Sequence, residues 1–267
     1  MLAHQGGPVI ERLPMLQSRR LQKGQILRIG ALAGSAVLYL AVEGGFALAP
    51  VLGSLSTFTR AAIGGIDGRA LKTGDLVPLC HERAAECEES MLDALDLAQP
   101  ARYRVVLGPQ DDFFSERGLR TLLEGTFTVS AASDRMGMRL EGPPLEHSKG
   151  FNIVSDGIAP GSIQVPGNGL PIVLLADRQT TGGYPKIATV ISADLPALGR
   201  LTPGCKVAFE AVTIETAEAA RRKLASDIEA MAQHIGPVRR APVVDLERLM
   251  EANLVSGMVD ARDGGPL

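Results

Sequence analysis

The sequence predicts a mainly β protein made of duplicated barrel-like units, with a few helices outside them. Three observations carry this expectation. Short apolar and β-branched runs are bounded by Gly and Pro along most of the chain. The pattern Leu-x-x-Gly followed by such a run recurs at Leu21, Leu71 and Leu201. Only one long stretch, near the C-terminus, has apolar residues at helical spacing.

Taken in order, strands are expected at 21–29, 36–42, 71–79, 102–107, 126–130, 162–165, 171–176 and 201–209. Residues 36–42 lead into Glu43-Gly44-Gly45, and residues 171–176 lead into Gly182-Gly183. Strand, Gly-Gly loop, connection and Leu-x-x-Gly strand thus occur twice, at 36–79 and 171–209, which reads as two related units. Residues 115–124 form a short helix. A longer one spans 216–235, with Ala217, Ala220, Leu224, Ile228, Met231 and Ile235 as one core-facing stripe and Gly236-Pro237 as the stop. Asp245 caps a last helix carrying Leu246, Leu249, Met250 and Leu254.

Composition narrows the function classes. With 267 residues, 45% hydrophobic and 21% charged, the chain can bury one large core or two small ones. A net charge of -3 gives no basic footprint, so nucleic acid is not an expected partner. Cys80, Cys87 and Cys205 are odd in number and form no C-x-x-C pair, which fits a reducing compartment. Residues 1–20 lack an apolar run behind a basic start, and the apolar run at 31–42 is broken by Gly34 and Ser35. The expectation is a cytoplasmic protein with no signal peptide and no membrane partner. His4, His81 and His234 have no Cys or His at ligand spacing, so no metal site is expected. His147, beside Glu146 and Lys149, is an acid or base only if it lines a cleft; a surface histidine is the simpler reading.

The segment 175–186 is the strongest candidate site. It places Asp177, Arg178, Gln179, Thr180, Thr181, Tyr184 and Lys186 around Gly182 and Gly183, directly after an apolar strand. The glycines permit close approach of backbone to a ligand, and Pro185 fixes the exit direction. The same residues also suit a hairpin turn whose polar side chains meet water. Arg135 and Arg139 share one face if their segment is extended, which suits an anion or a solvated sheet edge. Ser155-Asp156-Gly157 fits an Asx-type turn, and Gln164 lies in a strand ended by Pro166-Gly167.

Five segments carry a family resemblance: Gly108-Pro-Gln-Asp-Asp-Phe-Phe114, the stretch from Ser133 to Pro143, Ser155-Asp156-Gly157, Ile163-Gln-Val-Pro166, and the stretch from Ala176 to Lys186. In this order they resemble the allophanate hydrolase subunit 2 family, also called the biotin-dependent carboxyltransferase family, which includes the 5-oxoprolinase C subunits. The resemblance implies cyclophilin-like β-barrel halves. It divides the chain into an incomplete N-terminal half at 1–100, a C-terminal half at 101–212 and helices packed on the barrels at 213–267. A Gly-rich N-terminal block of the family is not found here, so the first barrel is expected to lack part of its wall and to leave strand edges near residues 22–28 open.

The resemblance also implies chemistry on amides or ureas with ATP or carboxybiotin. Such reactions need positive charge against phosphate or carboxylate oxygens and hydrogen bonds that orient a planar amide. Asp177, Tyr184 and Lys186 are the expected catalytic residues: Asp177 as a base or as the group orienting Lys186, Tyr184 as a donor to an oxyanion, Lys186 as the charge. Arg178, Gln179, Thr180, Thr181, Gly182, Gly183, Arg135, Ser155 and Gln164 are expected to hold substrate. No phosphate loop of the G-x-x-x-x-G-K-[ST] kind and no biotin-attachment Met-Lys are present, so ATP and any carboxyl carrier are expected on other chains. The implied function is a subunit of an ATP-dependent 5-oxoprolinase, working with a cyclophilin-fold subunit 1 and a lactam-hydrolysing subunit. Two alternatives follow from the same resemblance: a carboxyltransferase using carboxybiotin on urea, and a non-catalytic antagonist of a kinase inhibitor.

Overall fold

The computed structural model describes residues 2–3, 10–11, 13–92 and 95–238. Eight strands form the main sheet: β1 (Tyr103–Leu107), β2 (Phe127–Val129), β3 (Gly137–Glu141), β4 (Ser162–Gln164), β5 (Ile172–Leu174), β6 (Lys186–Val190), β7 (Lys206–Val207) and β8 (Phe209–Ala211). Their order is β7-β2-β3-β5-β4-β6-β1-β8. Every pairing is antiparallel except the last, where β8 runs parallel to β1.

The two outermost strands are neighbours in the chain, separated by Ala208 alone, whose carbonyl accepts the Tyr103 N–H at 2.8 Å. One extended segment therefore pairs with β2 at its start and with β1 at its end. This curls the sheet into a nearly closed barrel and covers the outer edges of β2 and β1. The mainly β architecture follows the sequence expectation.

Alternation fills the interior. Tyr103 and Val105 of β1 point in, as do Phe127 and Val129, Ile163, Val173, Ala188 and Val190, and Val207 and Phe209. Helix α1 (Glu116–Glu124) starts where Ser115 Oγ accepts the Gly118 N–H at 3.0 Å, and it places Leu122 in the core. Asp194, just before the short α2 (Leu195–Leu198), turns its carboxylate onto the Arg104 main-chain N–H and guanidinium of β1.

Helix α3 (Ile214–Met231) begins at Thr213, whose hydroxyl accepts the Thr216 N–H at 3.3 Å. It packs lightly, and none of its residues is fully buried. Ala217, Ala220, Leu224 and Met231 of the expected stripe are half-buried, but Ile228 and Ile235 are exposed. The helix also ends earlier than expected. Ile235–Pro237 pairs antiparallel with Ser90–Leu92, so Gly236 and Pro237 belong to a strand pair rather than to a helix stop. Among the described residues no helix is long and apolar enough to cross a membrane. The helix expected after Asp245 lies outside the described residues.

The first part of the chain is built differently. Leu2–Ala3 lies between Ile10–Glu11 and Ile26–Leu27 in a small antiparallel sheet, so the 22–28 region is paired on one side. Residues 36–79 carry isolated bridges, Phe46 with Leu79, Val51 with Ser54 and Phe58 with Ile63. The strand expected at 36–42 does not form. Val37, Tyr39 and Leu40 are exposed, and an apolar run needs a neighbouring strand to pair with and a face to bury.

The repeated motif survives in its turns. Gln22, Lys72 and Thr202 each accept the N–H of the residue three further on, at 3.0, 3.1 and 3.1 Å. Gly24, Gly74 and Gly204 sit at φ 91°, 91° and 89°, the left-handed φ that a type II turn needs at its third position. The units at 36–79 and 171–209 thus match in this turn and differ in the strands around it.

Candidate functional site

The candidate site lies where β4 and β6 meet a short ribbon. Asp156–Gly157 pairs antiparallel with Thr181–Gly182, and the Ile158 N–H to Thr180 O (3.0 Å) and Ile153 N–H to Gly183 O (2.8 Å) bonds continue the ribbon on either side. Beneath it are Lys186 and Gln164, only 1% and 3% exposed.

Register explains how a lysine reaches this place. Lys186 is opposite Gln164, whereas Ala188 is opposite Ile163, so the pairing slips by one residue between them. Ile163 and Val165 point into the core, which puts Gln164 on the other face of β4. The extra residue, Ile187, makes a bulge that brings Lys186 onto the Gln164 face while Ala188 stays with the core.

Both side chains of this pair are engaged. Lys186 Nζ donates to Asp156 Oδ2 at 2.7 Å and to the Gly157 carbonyl at 3.0 Å. The Lys186 main-chain N–H donates to Gln110 Oε1 at 3.1 Å, and Gln110 Nε2 donates to Asp156 Oδ2 at 3.2 Å. The Lys186 ammonium, with help from Gln110 and the Gly157 N–H, holds the Asp156 carboxyl below the usual carboxylate range. Gln164 Oε1 accepts from Gln179 Nε2 at 3.3 Å, and Gln164 Nε2 donates to the Tyr184 carbonyl at 3.4 Å. Gly182 leaves the room this needs. A methyl group there would lie 2.6 Å from Gln164 Nε2 and 2.7 Å from Ile158 Cδ1.

The remaining expected residues divide into two groups. Arg178 Nε donates to the Ile158 carbonyl at 3.1 Å, so it braces the ribbon. Gly183 packs beside Ile153 and Ser155. Thr180, Thr181, Gln179 and Ser155 are exposed along the ribbon, and Tyr184 is 41% exposed at its rim. Arg135 forms a two-pronged pair with Asp177 at 2.8 and 3.0 Å, and the Asp177 N–H donates to the Arg135 carbonyl at 2.9 Å. The pairing with Asp177 raises the Arg135 guanidinium above its ordinary value.

The carboxylate on Lys186 is therefore Asp156, not Asp177 as expected; both Asp177 oxygens are taken by Arg135. Arg139, in β3, is exposed and suits a solvated face. His147 packs against Phe114 with ring centroids 4.8 Å apart, and its Nε2 is 3.1 Å from the Val165 carbonyl, a packed histidine away from the ribbon's polar row.

Sequence reasoning missed Asp156 and Gln110 as members of the site. Both stand in segments that carry the family resemblance, and their signal is chemical: a carboxylate and an amide are the groups that can complete a buried ammonium. As it stands, the arrangement offers a water-poor cation with a half-exposed counter-ion, next to a row of amides. Such a row can address a carbonyl and an N–H of one planar ligand together.

A barrel-like antiparallel sheet with a polar row on one face, led by a lysine–carboxylate pair, is the frame of this site. The chain belongs to the family described as the carboxyltransferase domain, subdomain A and B, which it matches over residues 6–211. It is 39% identical to the 5-oxoprolinase C subunit of Haemophilus influenzae over 76% of this chain and 65% of that one. It is also 39% identical to the 5-oxoprolinase C subunit of Escherichia coli over 69% of this chain and 59% of that one. The chain thus spans somewhat under two thirds of the length of these relatives. Its fold resembles the crystal structure of the Kluyveromyces lactis urea carboxylase, with a TM-score of 0.70 at 24% identity, over 84% of this chain and 23% of that one.

Proposed function

We propose that this chain is a subunit of a cytoplasmic, ATP-dependent 5-oxoprolinase. In this reading it works with a cyclophilin-fold subunit 1 and a lactam-hydrolysing subunit, and residues 101–212 form the cyclophilin-like half that carries the site. The carrying observation is the Lys186–Asp156 pair beside the Gln164–Gln179 amides. 5-Oxoproline presents one carboxylate and one planar lactam, and this row offers a cation for the first and paired amides for the second. Tyr184 donates at the rim, Arg178, Thr180, Thr181 and Ser155 shape the ribbon over the ligand, and Gly182 and Gly183 let the backbone approach it. Arg135 and Asp177 fix the base of the loop. The 39% identity to the 5-oxoprolinase C subunits of two bacteria supports the choice of substrate class.

The donor set does not suit a triphosphate. Lys186 and Arg135 are each already matched by a carboxylate, which leaves Arg178, bonded to a neutral carbonyl, as the surplus charge: enough for one carboxylate and too little for a triphosphate. ATP is assigned in this reading to a partner chain. The test is reconstitution with the partner subunits and measurement of ATP-dependent 5-oxoproline hydrolysis. Activity that requires this chain and falls with Lys186→Met is expected; activity independent of this chain overturns the reading.

The family description favours a second reading, in which the same row holds urea or a similar acceptor for a carboxyl group brought by carboxybiotin. Urea carboxylation by a reconstituted system containing a biotinylated carrier, without 5-oxoproline turnover, selects it.

A further inference from the structure

Gln110 contributes three hydrogen bonds to this site from a distant segment. It stands between the end of β1 and the 3-10 turn Asp111–Phe113. Its main-chain N–H donates to the Lys186 carbonyl at 3.0 Å, and its side-chain Oε1 accepts the Lys186 N–H at 3.1 Å. Its Nε2 reaches Asp156 Oδ2 at 3.2 Å, the oxygen that also receives the Lys186 ammonium at 2.7 Å. One residue thus pairs both main-chain groups of Lys186 at the bulge and ties that backbone to the counter-ion of its own side chain.

Only a side chain with an acceptor and a donor on one short fork does both jobs. Glutamate supplies the acceptor but sets a second carboxylate against Asp156, and alanine supplies neither group. Exposure matters too. Asp156 is half-exposed and sits on a two-residue ribbon strand, so with Lys186 as its sole side-chain partner it would swing into water readily.

We propose that Gln110 is a positioning residue of this site: it holds the Asp156 carboxylate on the Lys186 ammonium and so sets how far that ammonium is open to an incoming anion. The assignment rests on the reading of Lys186 as the ligand-facing charge, but its test does not depend on turnover. The purified chain is followed by carbon-13 titration of the Asp156 carboxyl and by acetylation with N-acetoxysuccinimide, quantified for each lysine by mass spectrometry. Lys149 and Lys206 serve as exposed references.

In Gln110→Ala, Lys186 acetylation is expected to rise by about tenfold, the scale of one lost hydrogen bond to a charged group, with Lys149 and Lys206 unchanged. The Asp156 titration midpoint is expected to rise in Gln110→Ala and to rise further in Gln110→Glu. Gln110→Glu keeps the acceptor for the Lys186 N–H, so it remains informative if Gln110→Ala does not fold. Unchanged Asp156 midpoints in the folded variants overturn the proposal, as does a rise in acetylation shared by all three lysines. Shifted midpoints combined with full turnover in a Lys186→Met complex would instead sustain Gln110 as the positioner and overturn the functional reading.

Discussion

Lys186 and Gln164 face each other across β6 and β4 on the side away from the core, although Ala188, two residues beyond Lys186, points inward with Ile163. A regular strand cannot do this, because residues two apart share a face. The single extra residue at Ile187 is what separates a site from a core position. It lets one five-residue strand supply both the barrel interior and the buried cation.

Lys186→Met retains the stem and removes the charge. Replacing one member of this pair leaves Asp156 free to turn to water, so the melting temperature should move by only a few degrees. Turnover of the reconstituted complex should fall by about 10²-fold, the usual scale for a preorganised group at developing charge. Steady-state kinetics beside a thermal melt separate the two effects, and unchanged turnover reduces Lys186 to a structural ion pair.

Asp156 gives a pH signature. Its folded value lies below the unfolded value of about 3.9, so its contribution to stability is complete above that pH and is lost as the pH falls through the folded value. The melting-temperature gap between the wild type and Asp156→Asn should be widest near neutrality and should close on acidification below about pH 4. A gap that persists unchanged well into the acid range would show that the ionised carboxylate is not what stabilises the ribbon.

Gly182→Ala should cost about 1 to 3 kcal/mol, as overpacking does in a closed site. The added methyl meets Gln164 Nε2 at 2.6 Å and Ile158 Cδ1 at 2.7 Å, so the Gln164 amide must move off Gln179 or the ribbon must lift. Urea denaturation with an unchanged slope would report the loss. A variant as stable as the wild type would mean that the ribbon does not press on Gln164.

Phe209→Ala tests closure of the barrel. Phe209 is fully buried, pairs with Tyr103 across the parallel seam, and has its ring 6.0 Å from that of Phe127. The expected loss is about 3 to 5 kcal/mol. A smaller loss, measured by denaturant unfolding, would indicate a seam that contributes little to holding the barrel shut.

Much of the barrel is legible in the sequence because its strands are short β-branched runs with turn residues at both ends, as at Tyr103–Leu107 and Ser162–Gln164. Lys186–Val190 does not stand out as a strand: its lysine lies next to a Gly-rich loop and points to chemistry, and a bulge leaves no local mark in a sequence. The run at 36–42 misleads for the opposite reason. Its composition suits a strand, but composition cannot state that, among the described residues, no strand pairs with it. In the site, the Gly182-Gly183 loop and Lys186 stand out by residue type. Their partners Asp156 and Gln110 do not, since the contacts span 30 and 76 positions and depend on how strands are ordered rather than on any neighbour in the chain.

The seam formed by residues 206–211 imposes an order on synthesis. A ribosome delivers β1 long before it delivers the segment that covers β1, and β2 waits for the same segment. A growing chain that has not yet released residue 206 therefore carries two raw strand borders at once, open to neighbours, chaperones and proteases. The final hand-span of the barrel to leave the tunnel decides whether the polypeptide becomes a sealed object or a sticky one.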